Sequence, residues 1–188
     1  MKDERPICIG KGVCLREVVI TAGETPASPV DMAVLSIGAI GNTVAEAIDL
    51  LEEGLRTQDK RPNSSNSEDS ETKVISPSSF ILHPSSNESS SYHIAHYDMR
   101  WLKPIDEELL REVGERFKTI VTVEDGVIDG GLGSAVLEWM ADHGFTPRVI
   151  RLGVRDRFVE HGSTQELYHL LKLDKEGICE SLLQALEK

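Results

Sequence analysis

A chain of 188 residues, 39% of them apolar, is long enough to bury one core of ordinary size. Its net charge of −12 and pI near 4.9 argue against partners that need clustered Lys and Arg, so neither nucleic acid nor an anionic membrane is expected as a partner. Cys8, Cys14 and Cys179 have no CxxC spacing and read as reduced thiols of a cytoplasmic protein; the MKDER start leads into too short an apolar run for a signal peptide, and no stretch is long enough to span a membrane.

Residues 7–20, ICIGKGVCLREVVI, read as a short extended piece, a Gly-Lys-Gly surface turn and a strand from Val13. Residues 21–31 carry Gly23, Pro26 and Pro29 and predict a loop, and MAVLSI over 32–37 predicts a buried strand. Gly38 and Gly41 then turn that strand into a helix. Thr43 and Glu46 have capping-box spacing, Val44, Ala47, Ile48 and Leu51 form its apolar face, and Gly54 marks its end. A glycine pair without the full G-x-G-x-x-G is better explained by packing than by a dinucleotide.

From Asn63 the composition changes, with 12 serines in 29 residues. Such a stretch cannot bury enough apolar surface to offset its ordering entropy, so a flexible Ser-rich insertion is expected at 57–91, with Phe80-Ile81-Leu82 as its one candidate docking segment. Tyr92 opens a third strand, YHIAHYDMRW. His93 and His96 are three residues apart, which puts them on opposite faces of a strand and makes a shared metal unexpected. Asp106 is placed to cap a helix carrying Leu109, Leu110, Val113 and Phe117, with Ile105 as a staple onto Leu110.

Residues 119–144 give the densest run of signals. Residues 119–123, TIVTV, predict a strand buried on both faces. Glu124, Asp125, Asp129, Gly130, Gly131 and Gly133 predict a turn, followed by a helix from about Ser134 whose Val136, Leu137, Met140 and Ala141 share a face and which Gly144 ends. Helix N-termini attract phosphates, yet here three carboxylates crowd the turn, and no Lys or Arg lies between Lys118 and Arg148. The expected role is therefore structural, with the glycines allowing close packing and Asp129 satisfying the first helical N–H groups. RVIRL over 148–152 predicts a fifth strand. Ser163 and Glu166 form a second capping box before Leu167, Leu170 and Leu171, and Asp174 caps a last helix with Ile178, Leu182 and Leu186. His161 could serve as an acid or base, but no matching nucleophile accompanies it, so a hydrogen-bonding role is expected.

The runs VLSIGAIGNTVAEAIDLLEEG, YDMRWLKPIDEELL, IVTVEDGVIDGGLGSAV, LGVRDRFVEHGS and LDKEGI together resemble the C-terminal domain of the 1-deoxy-D-xylulose-5-phosphate synthase family, within the transketolase superfamily, and IGKG near the start resembles its interdomain segment. The chain departs from the family pattern at 18–31 and 57–91, which are longer, and at Arg155 and Lys172, where a proline and a glycine are usual. The resemblance implies one transketolase C-terminal-like domain over 1–188. It would be a three-layer α/β/α fold with a five-stranded mixed sheet of order 1-3-2-4-5, strand 1 antiparallel.

For the parent, the resemblance implies a homodimeric transferase that condenses pyruvate with glyceraldehyde 3-phosphate, using thiamine diphosphate and Mg2+, and that feeds isoprenoid and thiamine biosynthesis. Its cofactor groups belong to upstream domains of roughly 400 or more residues. This chain carries no cofactor motif of that kind: Glu124-Asp125-Gly126 lacks the first glycine of Gly-Asp-Gly, and no asparagine follows Asn87. No catalytic, cofactor-binding or metal residue is therefore assigned. Arg100, Lys103, Glu124, Asp129, Gly130, Gly131, Gly133 and His161 are expected to be turn or interface residues. The rival expectation is a free-standing ligand- or protein-binding module of the same fold.

Overall fold

The strand starting at Thr119 has its first six residues buried, and Met32 to Ser36 are buried too; both are covered on two faces, as a parallel sheet requires. A computed structural model describes residues 11–22, 30–58 and 90–186. The elements in order are β1 Val13–Ala22, β2 Val30–Ser36, α1 Ile40–Gln58, β3 Ser90–Asp98, α2 Glu107–Arg116, β4 Thr119–Val127, α3 Leu132–Asp142, β5 Arg148–Val154, α4 Thr164–Leu171 and α5 Lys175–Leu186. They build one five-stranded sheet of order β1-β3-β2-β4-β5. β1 runs antiparallel to β3, while β2 runs parallel to β3 and β4, and β4 parallel to β5.

Alternation along the strands sorts the core into two layers. Met32, Val34, Ile94, Val121 and Val123 pack with α1 and α5, joined by Tyr168 and Leu171 of α4; Ala33, Leu35, Ala95, Tyr97 and Ile120 pack with α2 and α3. The result is the expected three-layer α/β/α sandwich. No described helix is long and apolar enough to cross a membrane.

Local capping chemistry explains three of the helix starts. Asp106 accepts from Leu109 N at 3.0 Å, Ser163 and Glu166 close a reciprocal capping box, and Asp174 accepts from Gly177 N at 2.9 Å. Ile105 and Leu110 lie in the same apolar cluster.

The start and end of α1 differ from expectation. The helix opens at Ile40, leaving Thr43 inside it, so the Thr43–Glu46 capping box does not form. Ile40 is fully buried, and a Cβ on Gly41 would lie 2.9 Å from Ser36 Oγ, so packing against the end of β2 brings the helix start forward. Gly54 does not end α1 either; the helix runs on through Leu55, which is buried in the same cluster as α5. Residues 21–31 form less of a loop than expected, since Thr21, Ala22, Val30 and Asp31 belong to strands. The Ser-rich segment, including Phe80-Ile81-Leu82, lies outside the described residues except for its first two and last two positions, as do Cys8 and the short extended piece before Lys11.

Lys172, where the family pattern has glycine, closes α4 at φ 59°, in the left-handed region. An L side chain there is strained by about 1–2 kcal/mol. Lys172→Gly is expected to raise the unfolding free energy by roughly 0.5–1 kcal/mol in urea titrations, after allowing for the added freedom of the unfolded chain. Unchanged or lowered stability would mean that the 3.4 Å Lys172–Glu180 pair outweighs the strain.

Candidate functional site

The turn between β4 and α3 lies where β2 and β4, neighbours in the sheet, lead into helices on opposite faces, the place where open α/β sheets commonly bind ligands. Here β4 continues past the expected end of the strand. It keeps Glu124, Asp125 and Gly126 extended, with a register shift against β5 between Val123 and Val127. Through that irregularity the Glu124 side chain, only 5% exposed, is directed at the N-terminus of α3. Its Oε2 accepts from Leu132 N at 2.8 Å and its Oε1 from Gly133 N at 2.9 Å. A carboxylate at the positive end of a helix, holding two otherwise orphaned N–H groups, is favoured by charge and by hydrogen bonding alike.

This overturns the role expected of Asp129. The helix starts at Leu132, two residues before Ser134, with Gly131 as N-cap and no side-chain cap bond from the N-cap itself. Asp129 instead faces Arg151 Nη1 at 3.7 Å. Arg151 reaches the turn from β5, also donating to Ile128 O and Ser134 Oγ, both at 3.1 Å. The turn is therefore not purely acidic: a guanidinium lies against it that the local sequence does not show. Ser134 Oγ ties the turn together by donating to Ile128 O at 2.8 Å and accepting from Gly130 N at 3.0 Å.

The glycines have distinct causes. Gly130 stands at φ 78° and Gly144, beyond the end of α3, at φ 77°. Gly131 and Gly133 are required by space. A Cβ on Gly131 would lie 2.6 Å from Val127 O and 2.7 Å from Glu124 Cδ; one on Gly133 would lie 2.7 Å from both Thr122 Oγ1 and Arg151 Cδ. Thr122 Oγ1 is buried with no hydrogen-bond partner among the described residues. The inward face of α3 is Val136, Trp139 and Met140; Leu137 and Ala141, expected to share it, are exposed. Trp139 stacks on His143 at 4.0 Å and packs by Phe145, so the buried side of α3 includes Trp139.

The remaining predicted residues do not converge on this turn. Arg100, exposed at φ 57°, donates from its backbone N to Asp98 Oδ1 at 3.0 Å; Lys103 is exposed before Pro104. His161 is exposed between β5 and α4 and makes no hydrogen bond or ion pair among the described residues. His93 and His96 do face opposite sides. His93 lies 3.0 Å from Asp31 Oδ1 and packs by Phe117, while His96 is buried with Nε2 2.8 Å from Ser36 Oγ. Burial lowers the His96 pKa to about 4, so the ring is neutral at pH 7. Burial also pushes the Cys179 thiol up to about 11, which makes it a poor nucleophile.

What this arrangement can do is hold a helix in place. The carboxylate of Glu124 is already engaged by two donors, and those donors are not free for a phosphate. Among the described residues no cluster of three or more His, Cys, Asp and Glu side chains is placed to share a metal. Sequence reasoning put Glu124 in the turn without its role and missed Arg151 and Thr122. The available signal for Glu124 was its position at the end of a buried strand.

The five-stranded sheet of order 1-3-2-4-5, covered by helices on both faces, with its first strand antiparallel and a self-capped glycine turn after β4, defines an α/β domain of the transketolase kind. Residues 88–178 belong to the transketolase C-terminal domain family, matching the family described as "Transketolase, C-terminal domain". It is 44% identical over 186 residues to 1-deoxy-D-xylulose-5-phosphate synthase of Parabacteroides distasonis, covering 97% of this chain and 22% of that protein. Against the synthase of Bacteroides fragilis it is 41% identical over 164 residues, 87% of this chain and 20% of the relative. Among solved structures it resembles one described as "Split gene transketolase, inactive beta4 tetramer", with a TM-score of 0.61, 25% identity, and coverage of 94% of this chain and 42% of that one. The chain thus spans about a fifth of the length of the curated relatives it matches.

Proposed function

We propose that this chain serves as the non-catalytic C-terminal domain of a cytoplasmic 1-deoxy-D-xylulose-5-phosphate synthase, supporting the fold and dimer of a thiamine-diphosphate- and Mg2+-dependent transferase that joins pyruvate to glyceraldehyde 3-phosphate. The observation that carries this reading is the 44% identity along 97% of this chain to a synthase of which the match covers 22%. The residues present do not fit the cofactor: Glu124 already holds the α3 N–H groups that a diphosphate would use, so we derive no chemical step within this domain.

Two measurements test the assignment. The chain alone should show no change in melting temperature with millimolar thiamine diphosphate and Mg2+. A ligand at 100 times its Kd would add about 2.7 kcal/mol, an easily seen shift, and a saturable rise would sink the non-catalytic assignment. Placed in the Parabacteroides distasonis synthase in exchange for the segment it matches, the chain should support product formation from pyruvate and glyceraldehyde 3-phosphate. Failure of that chimera to assemble or turn over would sink the synthase reading.

A further inference from the structure

The loop from β5 to α4 holds an aromatic ring in water. Phe158 is 96% exposed, whereas the other exposed large apolar side chains among the described residues lie between 38% and 61%. The backbone around it is tied down. Arg157 N donates to Arg155 O at 2.7 Å, Val154 O accepts from Ile128 N at 2.9 Å, and Ser163 closes the capping box at the loop's far end. Val127, 50% exposed, pairs with Val154, where the loop leaves the sheet, so a second apolar side chain stands at the same end of the molecule. Arg155 and Arg157, both exposed, precede the ring; with Asp156 and Glu160, also exposed, they make the loop mixed in charge, a local departure from a chain of net charge −12.

A lone exposed apolar residue is ordinary. An exposed phenylalanine on a pinned loop, preceded by two exposed arginines and at the same end of the sheet as a second exposed apolar residue, has the composition of an interface anchor, where aromatic and Arg side chains dominate. About four-fifths of each matched synthase lies outside the region this chain spans, and that remainder must meet the domain somewhere. We propose that Phe158, with Val127, docks in an apolar socket on the remainder of the synthase polypeptide, and that Arg155 and Arg157 meet carboxylates at the rim of that socket. This rests on the synthase reading above.

The test uses the same Parabacteroides distasonis chimera, carrying Phe158→Asp or Arg157→Glu, beside the same substitutions in this chain alone. In the isolated chain both should leave the melting temperature unchanged, because neither side chain is in the core. In the chimera each is expected to release the domain, which then melts as a separate transition at the isolated chain's temperature. Turnover should fall about tenfold or more, and the Arg157→Glu effect should shrink as salt rises. Variant chimeras indistinguishable from the unmodified one would overturn the docking surface. An isolated chain that dimerises, and that Phe158→Asp makes monomeric, would overturn the occupant in favour of a second copy. An unmodified chimera that is inactive, with its domain melting apart, would instead remove the synthase reading and this proposal with it.

Discussion

Gly131→Val is expected to lower the unfolding free energy by about 3 kcal/mol or more. The added Cβ would meet Val127 O at 2.6 Å and the Glu124 carboxyl carbon at 2.7 Å. One neighbour is backbone. The other is a buried carboxylate that cannot move without releasing the N–H groups of Leu132 and Gly133. Overpacking contributes about 1–3 kcal/mol, and stranding buried donors and an ion adds a similar amount. The backbone angle is not the cause, because Gly131 sits at φ −86°, ψ −159°, which any residue adopts. Asp129→Asn, by contrast, loosens one exposed 3.7 Å ion pair and should cost no more than about 0.5 kcal/mol. Urea unfolding of the two variants with unchanged m-values reads both numbers. A Gly131→Val variant within about 0.5 kcal/mol of the parent would mean that the Glu124 clamp does not constrain the turn.

That clamp also marks where sequence reasoning stopped. Features fixed within one or two turns of chain were legible, such as the Asp106 and Ser163 caps, the left-handed glycine after α3 and the buried run of β4, because their partners lie a few residues away. The five strands followed from apolar runs, whereas their order came with the family resemblance, since periodicity carries no information about which strands are neighbours. Sequence reading failed where a distant element decides. Thr43 and Glu46 have a cap's spacing, but burial of Ile40 against the sheet starts α1 before them. Asp129 has a cap's position, but the extension of β4 brings Glu124, eight residues before Leu132, to the same donors. Arg151 brings one positive charge to Asp129, 22 residues before it, because the β4–β5 pairing sets Arg151 opposite Thr122. Phe158 would pass in the sequence for one more apolar residue, and only its exposure distinguishes it.

Stability should fall by about 2 kcal/mol between pH 7 and pH 5, with His96 as the cause. Its imidazole is buried on the β3 face beneath α1, against the fully buried Ser36 hydroxyl at 2.8 Å, which in turn reaches Tyr97 O at 3.4 Å. Burial lowers the folded pKa from 6.5 to about 4, outweighing the opposite pull of Asp98. In the unfolded chain the ring titrates near 6.5. Between the two values the unfolded state binds the proton and the folded state does not, so stability rises with pH across that window. The contribution is complete above about pH 6.5 and is lost as pH falls toward 4. The depressed carboxyls of Glu17 and Glu166 lose their contributions below the ordinary carboxylate range, so the interval between pH 5 and 7 reports mainly on histidine. His96→Asn removes the titrating group while keeping a polar partner for Ser36. Urea midpoints at pH 5 and pH 7 should therefore differ strongly for the parent and far less for the variant. An equal pH dependence in both would assign the acid sensitivity to another histidine and would mean that the Ser36–His96 pair tolerates the charged ring.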